Sequence, residues 1–181
     1  MRVAVIRIFL LIKLFIIASL FNTATGSHHN EDERLFKAAF IYNFAKFTSW
    51  PETATKTDTI KLCTQGTDQL VSDLTRLKGK VIKGKALSVI PLNNIDDCNM
   101  LYIASTQKHT YKGTLKNIRN KPILTISEIK NFASSGGIIE LHHQKGRTSI
   151  TANLEAVRSS NLDLSSRLLM LANIIPENDE E

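Results

Sequence analysis

The side chains in this chain that could do chemistry are few, and their spacing narrows what they could do. Cys63 and Cys98 are the two cysteines. With no CxxC spacing they do not read as a redox catalyst, and an even count in a chain with an export leader favours a bridge over two separate buried thiols. The five histidines are His28, His29, His109, His142 and His143. His142 and His143 are adjacent on an expected strand and so face opposite sides of it, which prevents them from chelating one ion together. No GxSxG elbow, GxGxxG turn or Walker loop occurs. Ser134-Ser135-Gly136-Gly137 reads as a helix stop rather than a phosphate cradle. These residues point to no catalytic reaction, no cofactor and no metal.

Two residues stand out as candidates for ligand or partner binding. Arg167 falls in the first turn of the last expected helix, where the helix dipole disfavours a cation. It is either half of a surface ion pair or an arginine aimed at an anionic ligand or a partner carboxylate. Trp50 stands at the exit of the first expected helix. Lys78, Lys80, Lys83 and Lys85 fall within eight positions. They read as a solvated edge strand that uses lysine to refuse pairing, with contact to an acidic partner as the alternative.

The elements that must position these residues begin with Lys37–Pro51, KAAFIYNFAKFTSWP. On a helix, Phe36, Phe40, Phe44 and Phe47 share one arc while Leu35, Ala39 and Tyr42 line the far side. This predicts a central helix buried on two sides. Asn30 is its expected cap, with Glu33 completing a capping box and Trp50-Pro51 as the stop. A strand over Thr59–Thr64 and an Asp68-capped helix over Gln69–Leu77 follow. Lys80–Leu92 reads as two short strands bending at Gly84. Met100–Ala104 reads as a strand buried on both faces. Next come a helix over Tyr111–Ile118, a strand over Ile123–Ile126 and a short helix from Ser127 to Gly136-Gly137. Ile138–His142 and Arg147–Thr151 make a hairpin turning at Lys145-Gly146. Leu154–Ser160 reads as helix, and so does Arg167–Ile175, capped by Ser165 or Ser166. The predicted fold is α/β, a three-layer single domain with a largely parallel mixed sheet and a C-terminal hairpin and helix.

Length and composition agree with such a domain. The chain has 181 residues, 43% hydrophobic and 22% charged. Its N-terminus carries Arg2 and Arg7, an apolar run over Ile8–Phe21 broken by Lys13 and Ser19, and small residues at Ala24 and Gly26. That is the pattern of a secretory signal peptide over residues 1–26, cut before Ser27, with the folded domain over 27–181. The formal charge is +6; without the leader 20 basic face 17 acidic residues, a net of +3. This is too mild to argue for nucleic acid.

Several blocks together resemble a known family. KAAFIYNFAKFTSWP, Leu62-Cys63, Leu77–Gly84 (LKGKVIKG), Cys98–Ala104 (CNMLYIA) and Pro122–Phe132 (PILTISEIKNF) occur in that order. Gly136-Gly137-Ile138, Asn153-Leu154 and Leu164–Leu169 (LSSRLL) follow. This arrangement, over nearly all of the expected mature chain, resembles the YfiR family of periplasmic proteins. The resemblance implies a repressor without catalysis. It would bind the periplasmic domain of an inner-membrane diguanylate cyclase and so lower cyclic di-GMP and biofilm formation. An outer-membrane lipoprotein would sequester it. Cys63 and Cys98 match positions that form a disulfide in the family. A second cysteine pair, which some members carry near the Ile138–Thr151 hairpin, is absent here. Self-association into a homodimer is left open. The rival reading is a periplasmic small-molecule binding module with Trp50 and Arg167 lining a pocket.

Overall fold

A computed structural model describes residues 26–144 and 147–176. The expected leader up to Thr25, the Lys145-Gly146 turn and the acidic tail Glu177–Glu181 lie outside these residues. The chain divides into two compact units, residues 1–33 and residues 34–181. The described part of the first is helical, from Gly26 on. Everything below concerns the second.

Helix α1 spans Gly26–Phe47, so Asn30 and Glu33 fall inside it, and the expected cap at Asn30 is not its start. From Arg34 onward it buries one face, not two. Ala38, Ile41, Phe44 and Ala45 are buried at the spacing of a single helical stripe. The two alanines hold no bulk on that stripe, while Phe40 and Phe47 sit half-buried at its margin. Phe36 is 66% exposed and Leu35 is exposed as well. Four phenylalanines on one arc gave the right side of the helix but misplaced the centre of its buried stripe. The helix stops before Trp50 because Thr48–Ser49 leaves it as a two-residue strand, β1, paired to Asp163–Leu164.

Apart from Asp163–Leu164 (β9), which pairs with β1, the remaining strands form one eight-stranded sheet with helices against it. In chain order the elements are β2 Thr59–Gln65, α2 Gln69–Thr75, β3 Val81–Ile82, β4 Lys85–Pro91 and β5 Met100–Ile103. Then come α3 Tyr111–Asn117, β6 Leu124–Ser127, β7 Ile139–Gln144 and β8 Arg147–Asn153. The chain closes with α4 Leu154–Ser159, β9 Asp163–Leu164, α5 Ser166–Leu169 and β10 Ala172–Ile175. The strand order is β10-β8-β7-β6-β5-β2-β4-β3. The strands β4, β2, β5, β6 and β7 run parallel to one another, and the antiparallel pairs are β7 with β8 and β3 with β4. This is the mixed, mostly parallel three-layer architecture the sequence predicts.

Strand β5 shows why three layers result. Successive side chains alternate between faces. Met100 and Tyr102 join the cluster that contains Ile41, Phe44, Leu70 and Leu74 from α1 and α2. Leu101 and Ile103 join a second cluster with Tyr111, Leu115 and Phe132, from α3 and the turn after β6. A strand apolar at every position is thus covered on both sides. Asp68 caps α2 by accepting from the Val71 N–H at 2.9 Å. The bend between β3 and β4 is a two-residue turn, with Lys83 at φ 49° and Gly84 at φ 81°. Positive φ at both positions is what a tight right-twisted hairpin needs.

Two expectations in the C-terminal half give way. Ser127 does not start a helix. Its hydroxyl donates to the Ile103 carbonyl at 2.7 Å and accepts from the Ile129 N–H, and the segment becomes a single 3₁₀ turn at Ala133–Ser135. Gly136, at φ 98°, closes that turn, so the Gly-rich bend is a stop. The expected helix Arg167–Ile175 is cut to the four residues of α5, and Ala172–Ile175 becomes strand β10, parallel to β8. Leu168, Leu171, Ala172 and Ile175 have helical spacing, but β8 offers the backbone groups on one side of β10 their partners, and a strand suits the branched Ile174 and Ile175.

Candidate functional site

The cysteines lie beside the lower ends of the central strands. Cys63 of β2 and Cys98, two residues before β5, are joined in a disulfide with Cα atoms 5.8 Å apart. Next to it, Asn99 ties neighbouring segments together. Its side chain accepts from the Lys61 N–H at 2.8 Å and donates to the Ala54 carbonyl at 2.7 Å. Trp50 donates its indole N–H to the Asn99 carbonyl at 3.0 Å. The tryptophan is therefore fastened to the start of β5. A cleft of about 410 Å³ opens at this end, lined by Cys98, Asn99 and the charged residues Lys61, Asp96, Asp97 and Lys121. Both of its carboxylates are paired within it, Asp97 with Lys61 and Asp96 with Lys121, and Lys56 lines it as well.

Trp50 also lines a smaller cleft of about 170 Å³ with Ile60, Ile82, Lys83 and Lys85. Arg167 is not among its lining residues. The two binding candidates flank opposite ends of the β1–β9 ribbon, in which Ser49 faces Asp163 and Thr48 faces Leu164. Trp50 follows Ser49, and Arg167 lies beyond Leu164 on α5. Arg167 is exposed and makes no ion pair among the described residues. In a four-residue helix the dipole argument for its strangeness loses its force.

The lysine cluster behaves differently from a row of solvated guards. Lys83 Nζ donates to the Thr48 carbonyl at 2.7 Å and approaches Ser49 Oγ at 3.3 Å. Lys85 Nζ donates to the carbonyls of Thr55 and Thr57 at 2.8 and 2.6 Å. Two of the four lysines thus tie the β3–β4 hairpin to the segment after α1, while Lys78 and Lys80 remain exposed. Tyr42 of α1 adds a hydrogen bond to the Val81 carbonyl at 2.7 Å.

The other end of the sheet carries a polar network that sequence reasoning missed. Tyr102 of β5, fully buried, directs its hydroxyl to Asp68 Oδ2 at 3.1 Å and Glu128 Oε2 at 3.2 Å. Lys37 of α1 pairs with the other oxygen of Glu128. Burial pushes the Tyr102 phenol far above its usual range, and the Glu128 and Asp68 carboxylates push it the same way. The phenol therefore stays protonated and donates. One hydroxyl hydrogen between two carboxylates, with a lysine on one of them, is an arrangement that holds α1, α2 and β5 together. The available signal was Lys37 in an otherwise apolar stretch.

Histidines and buried acids serve structure. Glu140 accepts from the N–H groups of Asn131 and Ala133 at 3.0 and 3.1 Å, and His142 Nε2 lies 2.8 Å from Thr151 Oγ1. Among the described residues no three His, Cys, Asp or Glu side chains converge as metal ligands. No helix among them is long and apolar enough to cross a membrane.

Besides Leu35-Phe36 on α1, an apolar stretch beside Arg167 is exposed among the described residues. Met170 is 78% exposed, Leu171 69% and Ile174 40%. They run from the end of α5 into β10, the outermost strand, and no described strand pairs with its far side. An exposed apolar run at a sheet edge is the kind of surface that takes part in association.

No curated protein matches the chain. A family profile described as YfiR/HmsC-like matches residues 35–173, from the exposed Leu35 of α1 to Asn173 in β10. The match takes in the disulfide, the Tyr102 network and the first half of β10, and on it the chain belongs to the YfiR/HmsC-like family, a family of periplasmic regulators of diguanylate cyclases.

Proposed function

We propose that this protein is a periplasmic repressor that holds the periplasmic domain of an inner-membrane diguanylate cyclase, so lowering cyclic di-GMP and biofilm formation. The observation that carries this reading is the family match over residues 35–173. Support comes from the uncovered Met170, Leu171 and Ile174 with Arg167 beside them, a face suited to a partner domain with an apolar surface and a carboxylate. Its role is to bind, without catalysis. Repression across a membrane requires that it bind the inactive cyclase more tightly than the active one. An outer-membrane lipoprotein that competes for it would relieve repression. Export follows from the leader over residues 1–26, with the mature domain starting at Ser27.

The test is deletion of the gene with measurement of cyclic di-GMP and attachment. Both should rise, and wild-type protein supplied in the periplasm should return them to baseline. Unchanged levels on deletion would remove the regulatory assignment. Mass spectrometry of the periplasmic fraction should find a chain starting at or near Ser27, and an intact Met1 form in the membrane would contradict cleavage.

A further inference from the structure

A second cleft, of about 370 Å³, lies between α3 and α4; it shares Ile123 with the cleft beside the disulfide but takes in neither cysteine and none of the β10 residues. Its two walls differ. The α3 wall carries Lys112, Lys116 and, just past the helix, Arg119. The α4 wall carries Glu155, Ser159 and Ser160. The floor is Thr125 with the buried Ile123 and Ile138.

The charges here are not spent internally. In the cleft beside the disulfide, each carboxylate already holds a lysine. In this one, Lys112, Lys116 and Arg119 make no ion pair among the described residues, and neither does Glu155. The segment that builds the basic wall explains why. From Cys98 to Ser127 the chain contains five lysines or arginines and no aspartate or glutamate. Lys112 and Lys116 are four residues apart on α3 and so stand on one face, about 6 Å apart at Cβ. Three cations in a row, close to one another, repel each other unless an anion lies among them.

We infer that this cleft binds a small hydroxylated anion, a phosphorylated or carboxylated polyol. The basic wall takes the phosphate or carboxylate, with Arg119 able to grip it through two N–H groups. Glu155, Ser159 and Ser160 take ligand hydroxyls. Glu155 also disfavours molecules that are anionic along their whole length, so a bare polyphosphate fits less well than a polyol charged at one end. The volume is within the usual range for a small-molecule site.

Calorimetry on the mature protein with glucose 6-phosphate, glucuronate, glucose and inorganic phosphate tests this. At least one of the two sugar anions should bind, at least about tenfold more tightly than either glucose or inorganic phosphate. Which one binds tells whether the wall reads phosphate or carboxylate. Arg119→Glu and Lys116→Glu should each abolish binding without changing the melting temperature. Lys78→Glu, the same charge change in the turn before the far edge strand β3, should leave it intact. Affinity should fall as salt rises from about 0.05 to 0.2 M, because the wall is exposed. Glu155→Gln should narrow the gap between sugar anion and inorganic phosphate. The inference is overturned if neither sugar anion binds, if inorganic phosphate binds as well as both, or if Lys78→Glu weakens binding as much as Arg119→Glu.

Discussion

At one edge of the sheet, β3 is two residues long and fastened; at the other, β10 is four residues long and has no described strand on its far side. The β3 hairpin is held by Lys83 and Lys85 on backbone carbonyls and by the Tyr42 hydroxyl on Val81. Little of its length is open to another strand, and the exposed Lys78 and Lys80 before it discourage pairing. The segment Met170–Pro176 around β10 contains no lysine. Its neighbourhood offers Met170, Leu171 and Ile174 to solvent. A sheet must end twice. The contrast teaches that one end is tied into the fold, while the other presents apolar side chains to solvent and is the face proposed here for a partner.

That contrast is open to attack, beginning with a lesion that belongs to neither edge. Cys63→Ser removes a cross-link over 35 residues, for which the chain-entropy model gives about 3–4 kcal/mol of lost stability. Such a loss is a sizeable share of a domain's total of about 5–15 kcal/mol. Melting temperature and abundance should fall while the affinity of the remaining folded protein for its partner domain holds. If affinity collapses as well, the binding face extends to the sheet centre and the contrast between edges is too simple.

Placing charge on the bare edge should do the reverse. Met170→Asp combined with Leu171→Asp should weaken binding to the cyclase periplasmic domain on the order of 100-fold, the scale of losing interface hot spots. The melting temperature should barely move, since both side chains are already in water. A protein that melts early yet binds normally would make the patch part of the fold.

On the fastened edge, Lys83→Met keeps the aliphatic stem and removes the hydrogen bonds to Thr48 and Ser49. A cost of about 1 kcal/mol is expected, read by denaturant titration, with partner affinity unchanged. Loss of partner affinity without loss of stability would assign this edge to binding instead.

The smallest effect on the fold belongs to Arg167→Ala. The side chain is exposed and makes no ion pair among the described residues, so melting should be unchanged. Partner affinity should drop measurably, though less than with the Met170/Leu171 pair. A lowered melting temperature with normal binding would make Arg167 a structural residue.

Much of this was legible in the sequence because it depends on neighbours in the chain. The Asp68 cap needs only the Val71 N–H three residues on. The Lys83-Gly84 turn needs only two residues that accept positive φ. An unbroken apolar run at Met100–Ile103 announced a strand covered on both faces, and the whole β2–β6 portion of the sheet follows from such signals. The features that escaped depend on residues far apart. The buried stripe of α1 was centred by how the helix meets the sheet, which left Phe36 outside and brought Lys37 to Glu128 across 91 positions. Ala172–Ile175 has a pattern that a helix or a strand could use, and the free side of β8 decided between them. The two walls of the basic cleft come from α3 and α4, and neither segment records the other. Local sequence thus determined the elements, the turns and the apolar alternation, because backbone conformation and capping are settled within a few residues. Tertiary structure alone decided which face was buried, which edge stayed bare and which cations stood without carboxylates, because burial and charge pairing depend on what packs against a residue from elsewhere in the chain.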